Sequence, residues 1–381
     1  MKLSHLVAQV LPLVGCVVAT PGPDPEAAAS KRIDKLQKQY QKYIQGTIKH
    51  RTTGCTKKKI LERKEWGSLS KKERLNYIDA VYCLASKPAK TPASEIPGAR
   101  TRYDDFVGSH IQYTPFVHAS GLFLPYHRYY VWLYEKALRE ECGYKGAQPY
   151  WDWTLSYKDP RKSSVFDGSP YSLGSNGVFI PNRDPIELVI PNTPTRVFPP
   201  ATGGGCIYSG PFTPDKWQIN LGPIGIPPTG PQGGLGYNPR CLTRDLSPVL
   251  SLSTRPTNVT ALLDGCADLG CLNIQLDTPD GGVHGFGHFQ MGTTAFDVFI
   301  SPSDPVFWLH HAQVDRLWTI WQNQNPAVRT SQVWGTQTAG NFPPSDNATL
   351  DTQITFGVIA PPIKIRDAVS TIDGDFCYIY D

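Results

Sequence analysis

Asp304-Pro-Val-Phe-Trp-Leu-His310-His311-Ala-Gln-Val-Asp315-Arg316-Leu-Trp318-Thr-Ile-Trp321 is the stretch on which the fold turns. Asp304 reads as an N-cap and Pro305 as the first helical residue, and the apolar positions after them recur every three or four residues. A buried helix over 305–323 is predicted. It carries two adjacent histidines. Neighbours on a helix point about 100° apart, so only one of the two can join a shared metal while the other lies beside it. His311 is taken as the ligand. Upstream, Val283-His284-Gly-Phe-Gly-His288 sets two more imidazoles four residues apart, on one face of a helix over 282–291.

Seven of the nine histidines belong to this cluster and a second one, His110, His118 and His127. On one continuous helix His118 and His127, nine residues apart, would lie on roughly opposite faces. Gly121 and Pro125 resolve the conflict: Pro125 suits the first turn of a helix over 125–142, with His127 near its start and His118 in the preceding segment. His110 ends an amphipathic helix over 100–112, closed by Thr114-Pro115. Helices from distant parts of the chain then converge, as in bundle proteins that build a two-metal core. Imidazole-only sets exclude calcium and magnesium, which leaves copper or zinc. A zinc hydrolase further needs a carboxylate base, as in H-E-x-x-H, but Gly285, Phe286 and Gly287 fill the gap between His284 and His288.

His110-x7-His118-x8-His127, Tyr150-Trp-Asp-Trp153, His284-x3-His288, the 304–318 run and the closing Tyr378-Ile-Tyr380 together resemble the tyrosinase and catechol oxidase family of type-3 copper proteins, in its short secreted fungal form. The resemblance implies a mainly α fold: a central antiparallel four-helix bundle holding a dinuclear copper site, with long disulfide-stapled loops. It implies His110, His118 and His127 on the first copper, His284, His288 and His311 on the second, and His310 outside the ligand set. It further implies small phenols and O2 as partners, o-diphenols being oxidised to o-quinones while O2 goes to water. Full tyrosinase, o-aminophenol oxidase and a haemocyanin-like oxygen carrier are the alternatives. Val298 and the absence of a covering C-terminal domain speak against a carrier, which has to exclude phenols.

Two departures from the family pattern narrow the expectation. Where fungal members carry a cysteine two residues before the second histidine, for a thioether bond, this chain has Phe116. Where good monophenol hydroxylases carry Asn after the first histidine of the second copper, with a Glu upstream, it has Gly285, with Gln275 near the Glu position. That pair holds a water that removes the phenol proton; without it a catechol is the easier substrate, and monophenol hydroxylation is expected to be weak or lagging. Val298, thirteen residues before His311, matches a gating position and leaves the mouth open. Phe289 is expected to wall the substrate cleft and Phe307 to pack against the copper site. Asp315 is expected to accept an imidazole N–H, or else to form a surface pair with Arg316.

With 381 residues, 40% hydrophobic, the chain can bury one full core, and no repeat or linker marks a second domain. Residues 1–20 read as a secretory signal too short to span a membrane. Residues 21–33, ending near the dibasic Lys31-Arg32, read as a pro-segment or unstructured tail, leaving 34–381 as a single catalytic domain with no C-terminal lid. A net charge of +4 without a dominant basic run gives no case for nucleic acid, and Lys57-Lys58-Lys59 and Lys71-Lys72 read as solvated faces. The protein is expected as a monomer or weak dimer. Apart from Cys16, eight cysteines suggest up to four disulfides, and Asn258-Val-Thr and Asn347-Ala-Thr are glycosylation sequons. Further helices are expected at 34–50 and at 71–86, the latter behind a Ser70/Glu73 capping box. Between 156 and 280, Gly and Pro predict long loops.

Overall fold

The computed structural model describes residues 24–188, 195–277 and 282–381, so the expected signal segment lies outside it. Ten α-helices run through the described residues: α1 (Pro25–Ile48), α2 (Lys71–Ser86), α3 (Arg102–Val117), α4 (Phe123–Cys142), α5 (Pro256–Gly265), α6 (Leu269–Leu276), α7 (Gly282–Phe289), α8 (Thr293–Phe296), α9 (Val306–Gln322) and α10 (Pro326–Arg329). The only sheets among these residues are two-stranded. None of these helices is long and apolar enough to cross a membrane.

Helices α3, α4, α7 and α9 form the central bundle, with α4 against both α3 and α9 and α7 against α9. Every residue of α9 is buried, which fits its lack of a charged outer face. Asp304 caps it through Val306 N at 2.9 Å and is gripped by both arms of the buried Arg244 guanidinium at 2.7 Å. Tyr134 of α4 stacks on Trp308 of α9 at 3.8 Å, nearly coplanar. The predicted capping box of α2 is present, and α3 has its own, built from Thr101 and Asp104.

Helix α1 starts at Pro25, with Asp24 accepting from Glu26 N at 3.0 Å, so residues 25–33 are its first turns and not a tail. The Ala27-Ala-Ala29 run is a strong helix former, and Ala29 and Ile33 are buried. Helix α3 runs through Pro115 to Val117, past the expected stop at 112. Proline removes only the N–H that would reach back to Ile111, and the hydroxyl of Thr114 adds a bond to His110 O at 2.7 Å. The segment 156–280 is not loop throughout, because α5 and α6 lie in it; Pro256 at N1 and the Asp268 cap are their local signals.

All eight described cysteines are paired, as Cys55–Cys377, Cys83–Cys142, Cys206–Cys241 and Cys266–Cys271. A thioether to His118 therefore has no cysteine to come from among them. Asp315 corrects both expectations for it. Tyr378 and Tyr380 each donate their hydroxyl to its Oδ2 at 2.6 Å, and Arg128 Nε donates to its Oδ1 at 2.5 Å. Arg316 pairs instead with Asp152 at 3.2 Å. The carboxylate thus ties α9 to α4 and to the strand Tyr378–Tyr380, which runs parallel to Leu61–Arg63. No imidazole donates to it.

Candidate metal centre

His110 lies inside α3, His118 is the first residue beyond it with extended backbone, and His127 sits in the second turn of α4. Each ring faces a main-chain carbonyl through Nδ1: His110 to Phe299 O at 3.0 Å, His118 to Thr114 O at 3.2 Å and His127 to Phe123 O at 2.8 Å. A carbonyl can only accept, so the proton belongs on Nδ1 and the lone pair on Nε2. Nε2 of His110 and of His127 is buried with no partner. The ligand-capable atoms of the three rings lie within 4.8 Å of one another.

The second group is held differently. His284 and His288 lie on α7 and His311 on α9; His288 Nε2 is 3.2 Å from His284 Nε2 and 3.1 Å from His311 Nε2. Three imidazole nitrogens at these spacings match donors about 2.0–2.1 Å from a common tetrahedral ion, whose mutual separation is about 3.3 Å. Nδ1 of His288 and of His311 is buried without a partner. His284 Nδ1 has Asp277 Oδ1 at 3.2 Å, within ion-pair reach but short of hydrogen-bond geometry. Asp277 Oδ2 accepts from Ala119 N at 2.6 Å, so one carboxylate joins the residue after His118 to His284.

The two groups face each other, with the His127 and His311 rings stacked at 4.3 Å and His118 and His284 at 6.3 Å. Burial, with the neighbouring imidazoles adding to it, pushes His110, His127, His288 and His311 well below the usual histidine range. Burial lowers His118 as well. Neutral imidazole is the form that binds a metal.

His310 stands beside the second group, with a ring nitrogen within 4.8 Å of those of His284, His288 and His311. Trp153 Nε1 donates to its Nδ1 at 3.1 Å, so the ring proton sits on Nε2 and neither nitrogen offers a free lone pair. A side chain at Gly287 would fall 2.1 Å from the His310 ring, so glycine makes room for it. Phe307 lies 4.2 Å from the His311 ring and 5.3 Å from His110, touching both groups. Phe289 packs on Phe198 and Phe296 at 4.9 and 4.6 Å, and Val298 is exposed. Gln275 is exposed on α6 with its amide toward Cys271 Sγ at 3.6 Å. Gly285 is half-buried.

Sequence reasoning missed Asp277 and the role of Trp153. The Asp277 contact with Ala119 joins residues 158 positions apart, which no local pattern announces. Trp153 belongs to the quoted Tyr150–Trp153 motif, but its partner could be seen only in three dimensions.

A family profile described as "Common central domain of tyrosinase" matches residues 100–324. Tyrosinase P of Aspergillus terreus is 40% identical over 327 residues, 84% of this chain and 91% of that protein. N-acetyl-6-hydroxytryptophan oxidase of Emericella nidulans is 38% identical over 349 residues, covering 86% and 94%. Among solved structures, a glycine-to-asparagine variant of polyphenol oxidase from Thermothelomyces thermophila matches with a TM-score of 0.81 at 42% identity, covering 93% of this chain and 96% of that one.

Proposed function

We propose that this chain, which belongs to the tyrosinase family of oxidases, oxidises o-diphenols to o-quinones, two diphenols and one O2 giving two quinones and two waters. The observation that carries the reading is the pair of three-imidazole groups facing each other, with buried, unpartnered Nε2 atoms in the first and converging Nε2 atoms in the second. His110, His118 and His127 would hold one copper and His284, His288 and His311 the other. A copper pair supplies the electron exchange between diphenol and O2. The chain's own residues fix the tautomers of His110, His118 and His127, bury the rings and shape the approach, with Phe307 as floor and Val298 at the rim.

Catechol oxidation is preferred over monophenol hydroxylation because Gly285 offers no side chain to hold a water and Gln275 carries no charge and turns toward Cys271. A monophenol, with a pKa near 10, then lacks a base that would help it bind as phenolate. The relatives bear the names of a tyrosinase and of an N-acetyl-6-hydroxytryptophan oxidase, which supports an oxidase of phenolic compounds and leaves the substrate to these residues. The test is metal analysis of the purified protein together with initial rates on catechol and on p-cresol or tyramine. Two coppers and a fast catechol rate are expected, with a slow or lagging monophenol rate. Equal rates on both substrates would remove the preference, and zinc in place of copper would remove the oxidase.

Export is part of the proposal: residues 1–20 would be the signal, and four disulfides match an oxidising compartment. Of the two sequons Asn347 is exposed, whereas Asn258 Nδ2 donates to Ser253 O at 2.8 Å.

A further inference from the structure

Of the nine tryptophans, seven are buried and an eighth, Trp132, is covered by Tyr129, Phe376 and Lys136. Trp334 is 41% exposed and has no ring or cation partner among the described residues. Leaving so large an apolar surface in water forgoes stabilisation. The ring rests against Gly270 of α6, where a Cβ would fall 2.7 Å from its Cδ1 and Nε1. With Val333, Thr336, Asn341 and Asn347 it lines a surface groove of about 400 Å³, within the range of small-ligand sites, about 300–1,000 Å³. No charged residue lines this groove among those described. Its chemistry suits a neutral ligand with an apolar face and amide or hydroxyl groups.

Asn347 opens the sequon Asn347-Ala-Thr349 and is the antiparallel bridge partner of Thr336, two positions from Trp334. It is exposed, and its side-chain amide has no hydrogen bond among the described residues. A glycan on Asn347 begins with an N-acetylglucosamine ring bonded directly to Nδ2, so the tether selects the occupant and keeps it beside the groove. The C–H face of a pyranose ring is apolar and weakly electropositive, which suits the negative face of an indole. Asn341, whose Oδ1 accepts from Ser345 N at 2.9 Å, keeps its Nδ2 free for the acetamide carbonyl. Behind the groove, Thr336 O accepts from Gly121 N at 2.8 Å and Ala119 O from Gly340 N at 2.9 Å. The same loop thus holds the turn between α3 and α4 that follows His118.

We propose that the first sugar of an N-glycan on Asn347 stacks on Trp334, fills this groove and braces the turn behind His118. The proposal rests on the export reading. In the secretory lumen the oligosaccharide passes from a polyprenyl pyrophosphate to Asn347 Nδ2: the anomeric C–N bond forms, the C–O bond to the pyrophosphate breaks and the amide loses one proton.

The experiment expresses the full chain, with residues 1–20 as its signal, in a yeast that adds high-mannose glycans. Occupancy of Asn347 is read by peptide mass, and Trp334 is labelled with a tryptophan-selective benzyl halide and followed the same way. Labelling should be about 5-fold slower in the glycosylated protein than in Asn347→Gln, because a ring contact covers the indole most of the time. It should stay equally slow after an endoglycosidase has trimmed the glycan to its first sugar. Asn347→Gln should also lower the thermal midpoint by about 1–3 °C, and by less than ~0.5 °C where Trp334 is already Ala. A secreted protein with Asn347 bare, labelling as fast with the glycan as without it, protection lost on trimming to one sugar, or a midpoint shift that persists without Trp334 would each overturn the proposal. Retention inside the cell would overturn the export reading and this proposal with it.

Discussion

The two histidine groups solve one problem by different means. His110, His118 and His127 are each oriented by a backbone carbonyl, and two of the three carbonyls lie four residues back in the same chain segment. In the second group Asp277 lies within ion-pair reach of His284, Trp153 occupies Nδ1 of His310, and Nδ1 of His288 and of His311 has no partner. Side-chain substitution cannot remove a carbonyl. The first group is thus built into the course of α3 and α4, while the second depends on individual side chains and is the place where sequence change can retune the centre.

The comparison can be broken from both sides. Removing a ligand should be equally fatal in either group: His127→Ala and His288→Ala should each abolish catechol oxidation and leave less than full copper by elemental analysis. Survival of either would undo the pairing of the groups. Next in size is the carboxylate on which both groups lean from behind. Asp315→Ala leaves Arg63 and Arg128 buried beside an empty place and should cost about 3–5 kcal/mol in denaturant unfolding. An unfolding midpoint that does not move would show that the network carries no weight.

The asymmetry itself is tested by Asp277→Ala. It should weaken copper at the second group by about 10–100-fold and affect the first less, through the lost bond to Ala119 N beside His118, so titrating metal-free protein with copper should give two separated steps. Parallel loss at both groups would mean that the carboxylate only supports the fold. Smallest is Gly285→Asn. A side chain there meets the Phe289 ring at 3.3 Å, so the ring has to yield slightly. The monophenol to diphenol rate ratio should rise several-fold, and more when Gln275→Glu is added. An unchanged ratio would place the preference elsewhere in the cleft.

The sequence announces most of the bundle and little of what braces it. Helices α4 and α9 are legible because their apolar residues keep a helical period and their starts carry Pro125 and Asp304-Pro305. The gathering of histidines follows from their spacing on those helices. Helix α1 is misjudged at its start because an Ala-rich run next to proline reads as a tail until Ala29 and Ile33 are seen to be buried. Asp315 is read as a neighbour of His311 or Arg316, yet its partners Tyr378 and Tyr380 lie 63 and 65 positions away.

That last distance bears on how the protein is made. The strand Tyr378–Tyr380 pairs with Leu61–Arg63, a register that closes only after more than 300 intervening residues have been synthesised, and the same tyrosines hold Asp315 in the middle of α9. Contacts so far apart in sequence form slowly, because chain entropy is lost before they return anything. The helix carrying His311 is consequently among the last parts of the bundle to be braced, and a nascent chain stopped short of Tyr378 would present histidines without a fixed geometry. Copper loading is accordingly expected to follow completion of the polypeptide, and a chain cut before Tyr378 should take up less than the full chain.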